Sequence, residues 1–442
     1  MSGKDGQTPQ PPRAAPPQTA AQKRTQELRL RYPTVEDLRR RAARRSPRFA
    51  FDYVDGAAGE LEEGKARNAA ALDAIEMVPR FGLDNFKADM EVELFGKRYA
   101  LPTAIAPMGM PGMVWPGGEK IFARTAAKAR IPFVLGNSAW APIEEVAELA
   151  EGNAWFQLYR QPHNDLEYNF DLIRRCTEID VPVLVVTLDV PARTKRPREL
   201  RNRLLIPFRT GWKTYVDVAL RPFWLMALAQ NGTRAFANFE RYGPAGASNK
   251  DLVQFMRARS GGSFTWEEVK RFRDAWPHAM VVKGVLHPGD AEKAVGLGVD
   301  GVLVSNHGGR QLEGAPAPVD VLPAIVSAVG ERATVLFDGG IRSGEDVVRA
   351  LALGAKSTLS GRAFMYGLGA LGTEGPDHVA DFFAEEISAV MRHVGAHDLA
   401  EALQLLGQAV EETLPLLRLL DAALERLGER AGGGDRGAEL VR

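Results

Sequence analysis

At 442 residues the chain can hold one large barrel or two ordinary domains. Lys plus Arg and Asp plus Glu each total 56, a balance that excludes a general binder of nucleic acid. One cysteine, Cys176, excludes an intramolecular disulfide and a cysteine-cluster metal site, and no run approaches the roughly 18–20 apolar residues that cross a bilayer.

With no signal-peptide core at its start, the sequence reads as a cytoplasmic protein, soluble or at most peripheral to a membrane. Residues 1–24, rich in Pro, Gln, Ala and Lys, are expected to form a disordered tail ahead of one domain over 25–430. Leu28, Leu30, Val35 and Leu38 suggest a leading helix, the start of an N-terminal helical extension. Phe51-Asp52-Tyr53-Val54-Asp55-Gly56 follows, where Tyr53 is either a core aromatic or a group that reaches a site.

From residue 100, apolar runs at 101–107, 131–135, 154–159, 183–189, 280–285, 301–306, 334–338 and 357–361 alternate with helical patterns such as 143–149, 291–297 and 347–352. Eight such pairs predict an α/β fold, a parallel sheet closed into a (β/α)8 TIM barrel. Cys176 sits in an apparent helix over 172–179, in a packing or surface role. The connection at 190–279 is abnormally long, and loops of that length are usually functional or mobile. It carries Trp212, Tyr215, Phe223, Trp224 and Leu225. The apolar stretch at 224–229 is too short to span a membrane but could touch one, or a neighbouring subunit, through the 210–230 loop. Helical patterns at 380–394, 400–406 and 410–427 precede a frayed tail at 431–442.

The chemistry gathers where barrels place it, at the C-terminal ends of the strands. The sixth run ends in Ser305-Asn306-His307-Gly308-Gly309-Arg310, a proton acceptor beside a guanidinium fork that can grip a carboxylate. That pair suggests proton removal from a small acid; the bland alternative is a loop histidine capped by glycines. Other tips offer Pro107-Met108-Gly109, Gln157 and Tyr159, Thr187 and Asp189, and Lys283. The seventh and eighth offer Asp338-Gly339-Gly340-Ile341-Arg342 and Gly361-Arg362, glycine-rich loops with arginines where such barrels commonly hold phosphate. Polar groups at so many apolar strand ends are costly to bury unpaired, and convergence on one pocket explains them together. No His or carboxylate cluster suggests a metal. A literal Gly-x-Gly-x-x-Gly at 367–372 does not follow a strand, so no dinucleotide site is expected there. Lys283 has three readings: a rim lysine, a cation beside a cofactor, or the Schiff-base lysine of an aldolase-like barrel. A barrel that serves as a non-catalytic scaffold is a further alternative.

From about Tyr53 to residue 395 these motifs resemble the FMN-dependent 2-hydroxy-acid oxidase and dehydrogenase family. Phe51-Asp52-Tyr53 is similar to its N-terminal pattern, Arg67-Asn68 fits the same region, and Thr187-Leu188-Asp189 with Arg196 is similar to its fourth-strand motif. The resemblance implies FMN across the barrel mouth, its phosphate near Asp338, Gly340, Arg342, Gly361 and Arg362. The flavin ring would meet Pro107, Met108, Gly109, Gln157, Thr187, Lys283 and Ser305. Tyr53, Tyr159, Arg196 and Arg310 would hold an L-2-hydroxy acid, with His307 as base and Asp189 behind it. The resemblance also implies an active-site lid in the long connection at 190–279. Electrons would pass from C2 to FMN and then to oxygen, a quinone or a cytochrome, and the protein would be a homotetramer. Three features depart from the pattern: Asn137-Ser138 at the second tip, Arg160 after Tyr159, and Gly109 where several small-acid oxidases have Ala. Gly109 would leave room for a bulkier group on C2, and with Trp276-Pro277-His278 it resembles the mandelate-oxidising branch.

Overall fold

The computed structural model describes residues 19–405 apart from 83–84, 193, 205–210, 235, 245, 247 and 260. The expected helix at 410–427 and tail at 431–442 lie outside the described residues, as do 1–18 of the expected N-terminal tail. Residues 20–24 of that tail are helical instead. Thr19 opens the helix Ala20–Arg31 with a reciprocal capping box to Gln22, which satisfies two backbone donors that a frayed end would leave to water. The single leading helix is also two, because Pro33 disfavours a helical residue before it and a second helix, Val35–Arg45, starts afresh at the Thr34 cap.

Eight parallel strands close into a barrel: β1 (Thr103–Met108), β2 (Phe133–Gly136), β3 (Ala154–Leu158), β4 (Val183–Thr187), β5 (Ala279–Val285), β6 (Gly301–Val304), β7 (Thr334–Asp338) and β8 (Ser357–Ser360). Closure comes from β8 pairing with β1, Thr358 opposite Thr103 and Ser360 opposite Ile105. Cys176 lies in the outer helix Glu167–Glu178, where burial pushes its thiol well up, so its role is packing.

A short hairpin, Val92–Leu94 with Lys97–Tyr99, plugs the N-terminal end of the barrel. Strands this short carry no readable alternation, and the sequence reading missed it. Val92, Leu94 and Tyr99 pack with the inward-facing Trp155, Val183, Val281, Leu303 and Leu336, and the Trp155 indole donates to the Tyr99 hydroxyl at 3.1 Å. Successive inward positions lie two residues apart. Stepping two residues along from Trp155, Val185, Val281, Leu303 and Leu336 therefore gives Gln157, Thr187, Lys283, Ser305 and Asp338 at the other end.

The long connection after β4 holds Pro197–Arg201, Trp212–Ala219, Pro222–Asn231, a 3-10 turn at Ala237–Tyr242, and Asn249–Arg259. It ends sooner than 279: a Thr265–Glu268 capping box starts Trp266–Ala275, the barrel's own fourth outer helix. The Gly-x-Gly-x-x-Gly falls inside and just after the helix Arg362–Leu371. A Cβ on Gly367 would lie 2.7 Å from the Gly375 carbonyl, and one on Gly369 2.8 Å from the Ser46 hydroxyl, so these glycines serve close helix packing.

Candidate active site

Three consecutive residues after β6 have positive φ: His307 at 60°, Gly308 at 65° and Gly309 at 74°. For histidine that conformation costs on the order of 1 kcal/mol or more, so its surroundings must impose it. A reciprocal amide pair does this: Asn68 donates to Asn306 at 2.8 Å and Asn306 returns a bond at 2.7 Å. Asn306 Oδ1 also accepts from Gly309 N at 3.0 Å. A Cβ at Gly309 would strike the backbone of Gly64 and Lys65 at 2.7 Å, so the loop and the helix Glu63–Asp73 meet at near backbone contact.

So held, His307 is the middle of a chain of three groups. Its Nδ1 lies 3.0 Å from Asp189 Oδ1, and its Nε2 lies 3.1 Å from the Tyr159 hydroxyl. Burial alone would raise Asp189, but the His307 imidazole and the Lys283 charge outweigh it and hold the carboxylate below its usual range. An ionised Asp189 must accept, which assigns the ring proton to Nδ1 and leaves the Nε2 lone pair facing the Tyr159 hydroxyl. Burial lowers the imidazole below its ordinary value, against the opposing pull of Asp189, so the ring is neutral at neutral pH. Burial and the Asp189 charge push the Tyr159 phenol up, and it stays a donor.

Arg310 packs its guanidinium over the Tyr53 ring, 5.0 Å from the centroid, and donates to the Tyr53 and Gly56 carbonyls at 2.7 and 2.9 Å. Burial brings it down to about 10. Its other arm meets Glu199 at 2.8 Å, and the same carboxylate lies 3.3 Å from Arg196. Arg196 also donates to the Arg310 carbonyl at 3.0 Å. Glu199 was not singled out from the sequence, although its place three residues after Arg196 at the start of a helix was a usable signal.

One cavity of about 1120 Å³ is lined by all but four of the residues expected at the site. The exceptions are Gln157, Thr187, Ser305 and Asp189. Gln157 donates to Thr187 at 2.8 Å, and Lys283 is bound to Ser305 at 2.6 Å and to Asp338 at 2.9 Å. Asp338 also receives the Ser305 hydroxyl. Its carboxylate is therefore committed to a lysine and a hydroxyl, an arrangement unsuited to a phosphate dianion, which it would repel. Arg342 is paired with Asp73 and Asp346, whereas Arg362 donates to the Val54, Gly308 and Gly56 carbonyls and, among the described residues, to no carboxylate.

The departures resolve differently. The space above Gly109 is taken by Tyr53, whose hydroxyl would lie 2.5 Å from a Cβ there, so it is not a free pocket for a bulky C2 group. Ser138 lines the cavity and Asn137 does not, and Asn137 Oδ1 accepts the Ser138 hydroxyl at 3.3 Å. Arg160 lines the cavity too, its guanidinium held by Glu268 at 2.9 Å. Trp276 is buried ahead of β5, its indole donating to Ala279 O at 2.8 Å, so that motif lies at the far end of the barrel, with Trp276 in the core.

Residues 42–406 match the family model described as FMN-dependent dehydrogenase. The chain belongs to this family. It is 36% identical to (S)-mandelate dehydrogenase of Pseudomonas putida over 388 residues, 87% of this chain and 97% of that one. It is 40% identical to L-lactate dehydrogenase of Caulobacter vibrioides over 368 residues, 83% and 95%. Among solved structures, a monotopic membrane protein, (S)-mandelate dehydrogenase, superposes with a TM-score of 0.78 at 36% identity, covering 83% of this chain and 96% of that one. Mandelate oxidase with (S)-4-hydroxymandelic acid gives 0.72 at 33% identity, covering 84% and 98%.

As an FMN-dependent dehydrogenase acting on a 2-hydroxy acid, the enzyme needs an anion seat and a cation by the flavin, and the residues present fit both. Arg362 is a half-buried cation that, among the described residues, donates to carbonyls alone, at the first turn of a ten-residue helix whose first backbone N–H groups have no partner within the helix. A phosphate there would compensate both. Gly339 and Gly340, at φ 115° and 112°, open the neighbouring loop to close approach. Lys283 would supply positive charge beside the ring. The Schiff-base alternative falls away, because an ammonium tied to a buried carboxylate is not a free amine nucleophile.

Proposed function

We propose that this FMN-dependent dehydrogenase oxidises an L-2-hydroxy acid with an apolar, aryl-sized side chain to the 2-oxo acid, with His307 as base. The observation that carries the base assignment is the chain Asp189–His307–Tyr159, in which Nδ1 is held by Asp189 and the unprotonated Nε2 accepts from the Tyr159 hydroxyl in a cavity that His307 and Tyr159 both line. Arg310 and Arg196 attract the substrate carboxylate, and the Tyr53 and Tyr159 hydroxyls bind and orient it. His307 Nε2 takes the proton from the C2 hydroxyl, and Asp189 stabilises the imidazolium that results. FMN, when bound, supplies the two-electron oxidant for C2. In the competing account His307 takes the α-proton first, with the same residues.

The side-chain preference rests on Met110, Phe236 and Met256, apolar residues lining the cavity. The relatives' names include both mandelate and lactate, and these residues favour the larger acid. Anaerobic flavin bleaching against glycolate, L-lactate, L-mandelate and a long-chain 2-hydroxy acid tests it. L-mandelate is expected to reduce the flavin with the highest kcat/KM; a higher value for L-lactate or glycolate would sink the aryl reading. Admitting air then reports whether oxygen reoxidises the flavin.

The proposal includes peripheral membrane association. No helix among the described residues is long and apolar enough to cross a membrane. Trp212, Tyr215, Val216, Leu220, Phe223 and Met226 are nonetheless all more than half exposed on two adjacent insert helices and the link between them, an apolar surface of the kind that seats in an interface. Recovery of the enzyme in the washed membrane fraction supports this; full recovery in the soluble fraction counts against it. A homotetramer, the family expectation, is read by light scattering.

A further inference from the structure

Apart from the active site, the molecule has a second cavity, about 540 Å³, between the two leading helices and the insert. Along Val35–Arg45, Arg41 and Arg44 lie three residues apart beside the stripe that Leu38 and Ala42 bury, and Arg45, seven residues after Leu38, sits at the end of that stripe. Arg31 and Arg40 join them from the same extension, and Arg221 from the insert. Asp37 is the one acid among the described residues that line this cavity.

Arg40 and Arg221 have acid partners, Glu36 and Asp217, but Arg41 and Arg45 are held by groups that do not neutralise them. Arg41 and Arg45 both donate to the Ala370 carbonyl, at 2.9 and 2.8 Å, where a helix ends and its dipole favours cations. The Arg45 guanidinium lies 4.7 Å from the ring centroids of both Trp115 and Phe223. Arg221 donates to the Arg44 carbonyl at 2.6 Å and pairs with Asp217 at 3.0 Å. The Nε atoms of Arg45 and Arg221 are buried without a partner. Burial, then the neighbouring Arg41 charge, holds Arg45 below its ordinary value. Arg41 and Arg45, crowded and partly desolvated, pair with no carboxylate among the described residues.

The rim says which anion. Leu220 and Phe223 line the cavity and also belong to the exposed apolar face, with Met226 one helical turn along from Phe223. A soluble phosphate would satisfy the arginines but leave that face in water. A ligand with an anionic head and apolar chains satisfies both at once. We propose that the arginine cavity is a headgroup site for an anionic phospholipid, whose acyl chains lie along the face of Leu220, Phe223 and Met226. This rests on the peripheral-membrane reading and adds to it a lipid class and a defined contact.

The test uses the FMN-loaded full chain in flotation with vesicles of phosphatidylcholine alone or mixed with phosphatidylglycerol. The wild type is expected to prefer the mixed vesicles by ~10-fold or more, since each arginine near an anionic surface contributes appreciably. Arg31→Gln/Arg44→Gln should abolish the preference and keep the weaker binding to phosphatidylcholine. Phe223→Ser/Met226→Ser should weaken binding to both vesicles. Arg98→Gln/Arg332→Gln removes the same charge at the N-terminal end of the barrel and should change the preference less than ~2-fold. Turnover in detergent, unchanged in all three, shows that the variants are folded, and none of these residues belongs to the catalytic site. An equal loss in the Arg98/Arg332 pair would reduce the effect to bulk charge and overturn the site. Equal binding of the wild type to both vesicles would overturn the headgroup proposal and leave the membrane reading standing, whereas binding to neither would overturn both. If sn-glycerol 3-phosphate raises the melting temperature of the wild type but not of Arg31→Gln/Arg44→Gln, with no vesicle preference, the cavity is a soluble-anion site and the lipid assignment fails.

Discussion

The same strands finish in opposite ways at the two ends of the barrel. At the N-terminal end, Trp155, Val183, Val281 and Leu336 meet the hairpin in a sealed apolar plug. At the C-terminal end, the inward positions are Gln157, Thr187, Lys283 and Asp338, and the loops beyond them carry His307, Arg310 and Arg362. One end lowers its free energy by excluding water, the other keeps buried charge that its own partners compensate only in part. Closure of the barrel makes this division workable, because a sheet without edges holds the polar tips in fixed register while the apolar end supplies the stability.

The comparison breaks most sharply at the active end. His307→Gln is expected to retain FMN and lower kcat by ~10,000-fold, the upper range for general acid–base catalysis, as read by anaerobic stopped-flow reduction. Normal turnover would remove the proposed base. Asp189→Asn should cost ~1000-fold, since an amide neither enforces the ring tautomer nor stabilises the imidazolium. The pH profile adds a sign. The base works unprotonated and burial lowers its pKa, so the acid limb of kcat/KM should lie below the ordinary imidazole value. Asp189 opposes that lowering, so its loss should move the residual limb lower still. A limb that moves upward would show that another group sets it.

At the plugged end the readout changes from rate to stability. Trp155→Ala should cost about 3–4 kcal/mol in urea unfolding, with kcat per bound flavin unchanged. A matching loss of kcat would mean that the two ends are not separable. The smallest effect is expected behind the substrate clamp. Glu199→Gln leaves Arg310 and Arg196 less well oriented and should raise KM ~10-fold with kcat within ~2-fold, because the carboxylate braces both guanidinium groups without lining the cavity. Unchanged KM would make Glu199 incidental.

Much of this architecture was legible in the chain. Eight apolar runs at barrel spacing are a long-range repeat, and each surfaced within a few residues of an observed strand. Polar residues at their ends marked the site, because burying a lysine or histidine in a strand end has no packing rationale. The less legible parts depend on contacts between distant segments. Asn68 and Asn306 are 238 residues apart, and nothing local says that their amides meet. Gly109 read as vacant space because the sequence lacks a side chain there; Tyr53 fills it from another helix. Trp276 and His278 resembled a substrate-branch motif but belong to the opposite end of the barrel. The three-residue hairpin strands are too short for a period to emerge.

By itself, then, the sequence determined the (β/α)8 class, the tip positions of the functional side chains and the family, because periodicity and motif spacing are local properties that survive without coordinates. Only the tertiary structure decided which charges answer one another. It set Asp338 on Lys283, left Arg362 among carbonyls and gathered arginines from the extension and the insert around one cavity. Electrostatic energy depends on distance and desolvation, and both are fixed only when strands and helices far apart in the chain are packed together.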